Sequence, residues 1–318
     1  MIKICAYEVY AAEEPYFADW QKKQVADIRL HSEVPSLQTA HLAEGCDGIT
    51  MLGQGHIDAQ LLDIWQAMGI KCIATRTIGT NQIDMQHAAD IGMKVVSADY
   101  PPYSVAEFTV MLMLMCLRNY KPSLWRGQVN DFSLAGLEGK DLRNMTVGIV
   151  GTGRIGRAVI DILQGFGCKI LAYNRHIKEE LADVVQFVSM QELFAKSDVI
   201  SLHVPLTKDT HHIVNDASIA MMKRGAVLIN CSRGGLADTS ALIRGIENGR
   251  LGALGLDVLE DEEGIMHIDH GIDILRNQQM AYLRQFPNVV MTPHMAFFTD
   301  TSVSSMVNCG IEGILKSV

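Results

Sequence analysis

A chain of 318 residues that is 48% hydrophobic is long enough for two domains, each with its own buried core. Its formal net charge of −9 argues against a nucleic-acid or anionic-membrane partner, because neither gains from an acidic surface, and a small anionic ligand would need a local basic site. The seven cysteines show no C-x-x-C spacing and mostly lie in apolar patterns, which reads as free thiols in a reducing, cytoplasmic setting.

Met1 opens directly on the strand-like Ile2-Lys3-Ile4-Cys5-Ala6, with no signal-peptide pattern. Up to residue 99 the chain keeps a βα rhythm. Strands are expected at 2–7, 26–31, 47–52, 71–75 and 94–97, with helices near 13–24, 38–44, 58–68 and 84–91. Such alternation means a mostly parallel sheet with helices on both faces, whose ligands bind at the carboxyl ends of strands. Two loops stand there: Leu52-Gly53-Gln54-Gly55-His56, and Thr75-Arg76-Thr77-Ile78-Gly79-Thr80-Asn81. The second could hold a carboxylate through N–H groups near Gly79, or be an ordinary βα turn.

Asp99-Tyr100-Pro101-Pro102-Tyr103 breaks the rhythm with two stiff prolines and reads as a domain crossing, followed by a helix at 104–120. Within it the longest apolar run, Phe108 to Leu117, falls far short of the roughly 20 residues that span a bilayer, so it reads as a buried or subunit-interface helix.

Thr146 to Arg175 is the stretch with the clearest chemistry. The apolar strand Val147-Gly148-Ile149-Val150 runs into Gly151, Gly153 and Gly156 in G-x-G-x-x-G spacing. A helical run and a second strand, Lys169 to Tyr173, complete one βαβ unit. The first glycine allows the tight turn, the second lets backbone approach a pyrophosphate, and the third lets helix pack on strand. Amides at the helix start, aided by its dipole, bind the phosphates. The position of the usual acidic ribose clamp holds Asn174, followed by Arg175. Loss of the carboxylate removes repulsion toward a 2′-phosphate that Arg175 could bind, so NAD(H) and NADP(H) are both expected cofactors.

Further strands are expected at 184–188, 198–203, 226–230, 253–257 and 288–291, with helices near 190–196, 216–222 and 238–248. Three of these strand ends carry polar groups: Arg233 in Asn230-Cys231-Ser232-Arg233-Gly234, Asp257 ahead of the acidic run Glu260-Asp261-Glu262-Glu263, and His294 in Thr292-Pro293-His294. Taken singly, each has a bland reading as a capping arginine, a solvated acidic face or a satisfied loop histidine. Together, each behind a strand of a dinucleotide-binding sheet, they could converge on one ring of the cofactor. No metal site is expected, because the eleven histidines show no paired spacing with cysteines or carboxylates, and His211-His212 reads as solvent-facing or near the cofactor.

Gly151-Thr152-Gly153-Arg154-Ile155-Gly156, Asn230-Cys231-Ser232-Arg233-Gly234, Leu256-Asp257-Val258-Leu259-Glu260-Asp261-Glu262 and Thr292-Pro293-His294-Met295-Ala296 resemble the signature segments of the D-2-hydroxyacid dehydrogenases. Arg76-Thr77-Ile78-Gly79 and Tyr100-Pro101-Pro102 extend the resemblance over nearly the whole chain. The spacing from Glu262 to His294 looks most like the D-lactate dehydrogenase branch, including the vancomycin-resistance enzymes.

The resemblance implies an α/β protein of two doubly wound parallel-sheet domains with a cleft between them. One is a flavodoxin-like substrate domain, residues 1–99 plus 294–318; the other is a Rossmann-type cofactor domain, 100–293. It implies reduction of a 2-oxo acid to the D-2-hydroxy acid, pyruvate to D-lactate first and larger 2-oxo acids second. Arg233 would bind the substrate carboxylate, protonated His294 would give the proton, and Glu262 would hold the far ring nitrogen of His294. Gly151, Gly153, Arg154, Ile155, Gly156, Asn174, Arg175, His203, Val204, Pro205, Cys231, Ser232 and Asp257 would line the cofactor. Ile78, Gly79, Tyr100 and Phe298 would join Arg233 around the substrate. Phe297-Phe298 stands where relatives often carry tyrosines, which makes the wall more apolar. A homodimer through helix 104–120 is implied too. A sensor or corepressor of the same fold is the alternative outside enzymology.

Overall fold

The computed structural model describes residues 1–80 and 82–318; Asn81, which closes the second of the two early loops, lies outside the described residues. The chain divides into two compact units, Met1–Pro101 with Phe298–Val318, and Pro102–Phe297.

The first unit opens with β1 (Ile2–Ala6), α1 (Glu14–Lys22), β2 (Ala26–Leu30), β3 (Gly48–Met51), α2 (Ala59–Ala67), β4 (Cys72–Thr75), α3 (Met85–Asp90) and β5 (Lys94–Ser97). The strands order β2-β1-β3-β4-β5, all parallel, with Ile4 opposite Gly48 and Ile49 opposite Ile73. That is the flavodoxin-like order. β3 and β4 are buried along their whole length, as an apolar run covered on both faces requires. The expected helix at 38–44 is only a 3-10 turn at Ala40–Ala43. Ser36 and Thr39 spend their hydroxyls on local bonds there, and Gly45 at φ +74° ends the turn.

The second unit follows with α4 (Tyr103–Leu117), α5 (Tyr120–Gly127), β6 (Thr146–Val150), α6 (Arg154–Phe166), β7 (Lys169–Tyr173), β8 (Gln186–Phe187), α7 (Met190–Lys196), β9 (Val199–Leu202), α8 (Asp216–Met221), β10 (Ala226–Asn230), α9 (Thr239–Glu247), β11 (Leu251–Leu256), α10 (Gln278–Leu283) and β12 (Val289–Met291). Its seven parallel strands order β12-β11-β10-β9-β6-β7-β8, the doubly wound arrangement that reverses direction at β6. The helix expected at 104–120 stops at Leu117, because Asn119 takes the left-handed conformation at φ +49°. The chain restarts at once as α5, whose Pro122 sits in the first turn, where no backbone N–H is needed.

After β12 the chain returns to the first unit as α11 (Asp300–Leu315), started by the Thr299 side chain accepting from the Ser302 amide. α11 packs close on the sheet: a Cβ at Gly48 would lie 2.5 Å from Ile314, and one at Gly310 would lie 2.5 Å from Thr50. The second crossing falls at 297/298 rather than at the expected 293/294. The Met295 and Ala296 amides donate to the Asp257 carboxylate at 2.9 and 2.8 Å, which fastens His294–Phe297 to the second unit. No helix of the described residues is long and apolar enough to cross a membrane.

Candidate active site

β6 delivers the chain to Gly151, which turns at φ +98° so tightly that a Cβ there would stand 2.5 Å from the His203 carbonyl oxygen and 2.8 Å from Val204. Gly156, in the first turn of α6, is closer still: its Cβ would lie 2.0 Å from the Gly151 oxygen. Gly153 caps α6 with no side chain on its amides and with nothing within 4 Å of its own Cβ position. The 13-residue helix therefore presents bare N–H groups and the positive end of its dipole to open space. Arg154 and Ile155 begin that helix, Ile155 half-buried against the core.

Two buried polar atoms beside this turn, Thr152 Oγ1 and His203 Nδ1, find no partner among the described residues. Orphaned groups of this kind cost about 1–3 kcal/mol each, a cost relieved by a polar ligand in the glycine cradle. Burial pushes the His203 imidazole down to about 4, so it is neutral near pH 7; its Nε2 lies 2.8 Å from Ser201 Oγ. The residues present thus fit a dinucleotide. Pro205 gives its carbonyl to the Thr210 hydroxyl at 2.6 Å, which shapes the same loop. Asn174 accepts from the Thr152 amide at 3.4 Å and donates to the His176 carbonyl at 2.7 Å. Arg175 is exposed and stands 3.5 Å from an exposed Asp209, a surface pair of little strength.

His294 sits just past β12 at φ +52°, a left-handed conformation costing a non-glycine residue about 1–3 kcal/mol. Its surroundings over-determine it. Asp257, buried at the end of β11, accepts from the Thr292 hydroxyl at 2.6 Å as well as from the Met295 and Ala296 amides. The carboxylate expected beside the cofactor is thus engaged with the loop that carries His294. Glu262 Oε1 lies 2.7 Å from His294 Nδ1, while Glu262 Oε2 accepts from the Leu259 amide at 2.9 Å. A carboxylate only accepts, so Nδ1 carries the hydrogen and Nε2 is the ring atom left for chemistry. Burial alone would push His294 down, but the Glu262 hydrogen bond and charge, with Asp257 behind them, outweigh burial and the opposing Arg233. The imidazolium is held above the ordinary histidine value.

Arg233 follows β10 on a turn built by Asn230. The Asn230 side chain accepts from the Ser232 amide at 3.0 Å and donates to the Arg233 carbonyl at 2.9 Å. Ser232 Oγ ties the turn to Leu202 at 2.7 Å, and burial pushes the Cys231 thiol up to about 12, leaving it inert. Arg233 Nη1 donates to the Ser232 carbonyl, and among the described residues no carboxylate pairs with its guanidinium. A half-buried, unmatched guanidinium is suited to bidentate capture of a carboxylate.

In the first unit, Ile78 and Gly79 lie on the loop after β4, and their amides donate to no group among the described residues. Tyr100 is buried and Phe298 is 43% exposed. The Gly53, Gln54 and Gly55 amides all donate to the carboxylate of Glu8, a buried residue at φ +56°. Arg76 is fully buried; it pairs with Glu13 at 2.7 Å and donates to the Tyr7 and Glu8 carbonyls at 2.9 and 3.0 Å.

One histidine cluster escaped the spacing argument. His211, His212 and Glu260 stand with possible metal-binding atoms within 4.8 Å of one another, although Glu260 is 48 positions from His212. Both Glu260 oxygens are already spent, one on His212 Nε2 at 2.5 Å and the other on the Thr239 amide and hydroxyl. The two rings stack at 3.8 Å rather than converge. The arrangement ties the loop after β9 to the loop after β11.

Residues 110–296 match the family model described as D-isomer specific 2-hydroxyacid dehydrogenase, NAD binding domain. Over 308 residues the chain is 40% identical to an aromatic 2-oxoacid reductase of Clostridium sporogenes, covering 96% of this chain and 93% of that protein. Among solved structures, the pyruvate reductase of Chlamydomonas reinhardtii superposes with a TM-score of 0.91 at 35% identity, over 99% of this chain and 95% of that one. D-lactate dehydrogenase with NAD+ from Lactobacillus jensenii superposes with a TM-score of 0.85 at 30% identity, over 99% and 96%.

Proposed function

Since the chain belongs to the D-isomer specific 2-hydroxyacid dehydrogenase family and carries its NAD-binding domain, we propose that it reduces a 2-oxo acid to the D-2-hydroxy acid with His294 as proton donor. The observation that carries this is the pair His294 Nδ1–Glu262 Oε1 at 2.7 Å, which holds the imidazole above its ordinary value and leaves Nε2 as the ring atom for the substrate.

The cofactor, when bound, supplies the hydride to the carbonyl carbon. Arg233 holds the substrate carboxylate and draws electron density from the adjacent carbonyl. The Ile78 and Gly79 amides bind the same carboxylate, with Tyr100 and Phe298 as apolar wall. His294 Nε2–H gives its proton to the carbonyl oxygen, and Glu262 and Asp257 stabilise the imidazolium until then. In the oxidative direction neutral His294 takes the proton back.

The side chain accepted is apolar and larger than methyl. Phe297 stands edge-on to His294 with ring centroids 6.5 Å apart, and the Clostridium sporogenes relative is named for aromatic 2-oxo acids. Pyruvate is the second reading, favoured by the likeness to the Chlamydomonas reinhardtii pyruvate reductase. Asn174 offers no carboxylate to repel a 2′-phosphate, so NADPH serves beside NADH. The exposed Met111, Tyr120, Leu124 and Trp125 on α4 and α5, with Phe132 and Leu134 beyond, suit a homodimer in a reducing compartment.

The test is steady-state oxidation of NADH and NADPH with phenylpyruvate, 4-methyl-2-oxopentanoate, 2-oxobutyrate and pyruvate. Turnover of at least one acid is expected, falling about 10²–10⁴-fold in His294→Ala. Tight dinucleotide binding with no turnover of any acid would favour a sensor instead.

A further inference from the structure

Glu262 grips the His294 side chain, Asp257 takes the two amides that follow it, and its own amide donates to the Thr292 carbonyl, which leaves one backbone group to account for, its carbonyl. Among the described residues that carbonyl accepts from a single group, His267 Nε2, at 2.9 Å. A carbonyl cannot donate, so Nε2 of His267 carries the hydrogen. The two histidines are brought together by the turn that Glu262 begins: its own carbonyl accepts from the Ile265 and Met266 amides at 3.0 and 3.2 Å, and the next residue is His267. One short segment therefore holds both ends of His294, the ring through Glu262 and the backbone through His267.

The backbone at both ends of this bond is left-handed, φ +64° at His267 and +52° at His294. Neither is glycine, and such conformations persist only where the surroundings impose them. The ring contacts point the same way. His267 stands 6.0 Å from the His294 ring and 6.1 Å from Phe297, and Phe297 stands 6.5 Å from His294. If the 294–295 peptide plane were free to rotate, the imidazole would swing and its Nε2 would lose its aim.

We infer that His267 is a positioning residue for the proton donor: its Nε2–H bond to the His294 carbonyl fixes the left-handed backbone from which the His294 ring is aimed. The inference rests on the catalytic reading of His294 given above. The bond falls on the His294 carbonyl rather than on its ring, so its effect is transmitted through the backbone. The charged groups that face His294 are Glu262, Asp257 and Arg233, with His267 beyond its carbonyl.

The experiment compares His267→Phe, which keeps an aromatic ring against Phe297 but removes the donor, with His267→Gln, which keeps an N–H at similar reach. In the full-length protein, His267→Phe should lower kcat on the order of ten- to hundredfold, with the KM for NADH unchanged. His267→Gln should stay within about twofold of the parent, the level of a retained donor. Independently of turnover, the downfield proton resonance of the His294 Nδ1–H bond to Glu262 should broaden in His267→Phe and persist in His267→Gln. Retention of both kcat and that resonance in His267→Phe would overturn the inference, as would a His267→Gln variant impaired as badly as the phenylalanine one. If the parent itself turned over no 2-oxo acid, the catalytic reading would fall, and the resonance alone would decide whether His267 orders His294.

Discussion

Glu262 and His294 are 32 positions apart, and their side chains meet at 2.7 Å. Because the folded protein holds His294 above its ordinary value, the pair contributes stability that is fully present below the unfolded value of about 6.5 and is lost as pH rises through the raised one. On the proposed mechanism the same sign governs catalysis: reduction would need the imidazolium and should fall as pH climbs past that raised value, while oxidation would need the neutral ring and should rise. In Glu262→Gln the carboxylate is gone and burial prevails. The alkaline limb of kcat/KM for 2-oxo acid reduction should therefore move to lower pH. A pH profile of the variant coincident with the parent's would show that Glu262 does not set the protonation of His294.

At the scale of elements, the β6–α6 turn sets two glycines of one motif in different surroundings. Gly156→Ala would drive a Cβ to within 2.0 Å of the Gly151 oxygen, backbone against backbone, and should cost about 1–3 kcal/mol and several degrees of melting temperature. Gly153→Ala meets nothing within 4 Å, so its melting temperature should hold while NADH affinity falls, because on the proposed dinucleotide site the added methyl would stand where phosphate approaches. Thermal melts and NADH fluorescence titrations of both variants check the contrast; equal melts would refute it. The buried strands were legible from sequence because a parallel strand covered on both faces is an unbroken apolar run. α5 was not: Pro122 reads as a stop until one sees that it occupies a first turn. α10, with two buried residues in six positions, has almost no period to read. Arg233 and His294 stood out because each follows a strand in a short motif, whereas Glu262 was singled out only through the family resemblance. His267, Asn230 and Glu8 act through backbone carbonyls and amides, a partnership that no spacing in the chain encodes.

Across the whole molecule, the two units are stabilised by different means. The second rests on two large apolar clusters either side of its sheet, whereas the first adds a buried ion pair, Arg76–Glu13, with Phe17 under the guanidinium at 5.5 Å. Removing one partner strands the other charge, so Arg76→Met should cost about 3–5 kcal/mol. Trp20 and Trp65 both belong to the first unit, and Trp125 of the second is largely exposed, so tryptophan emission reports chiefly on the unit that is weakened. The urea midpoint followed by emission should drop in Arg76→Met; an unchanged midpoint would mean the pair is energetically silent. The return of the chain as α11 carries a further consequence, for biosynthesis. Ile314 seats against Gly48 in the middle of the first sheet, yet α11 is translated only after all of Pro102–Phe297. At about 5–20 residues per second, the part of that face which α11 covers, beside the Phe17 and Trp20 of α1, stays open for roughly ten to forty seconds. The unit begun first is thus completed last, and during that interval the nascent chain is most exposed to chaperones and to mispairing with its neighbours on the same message.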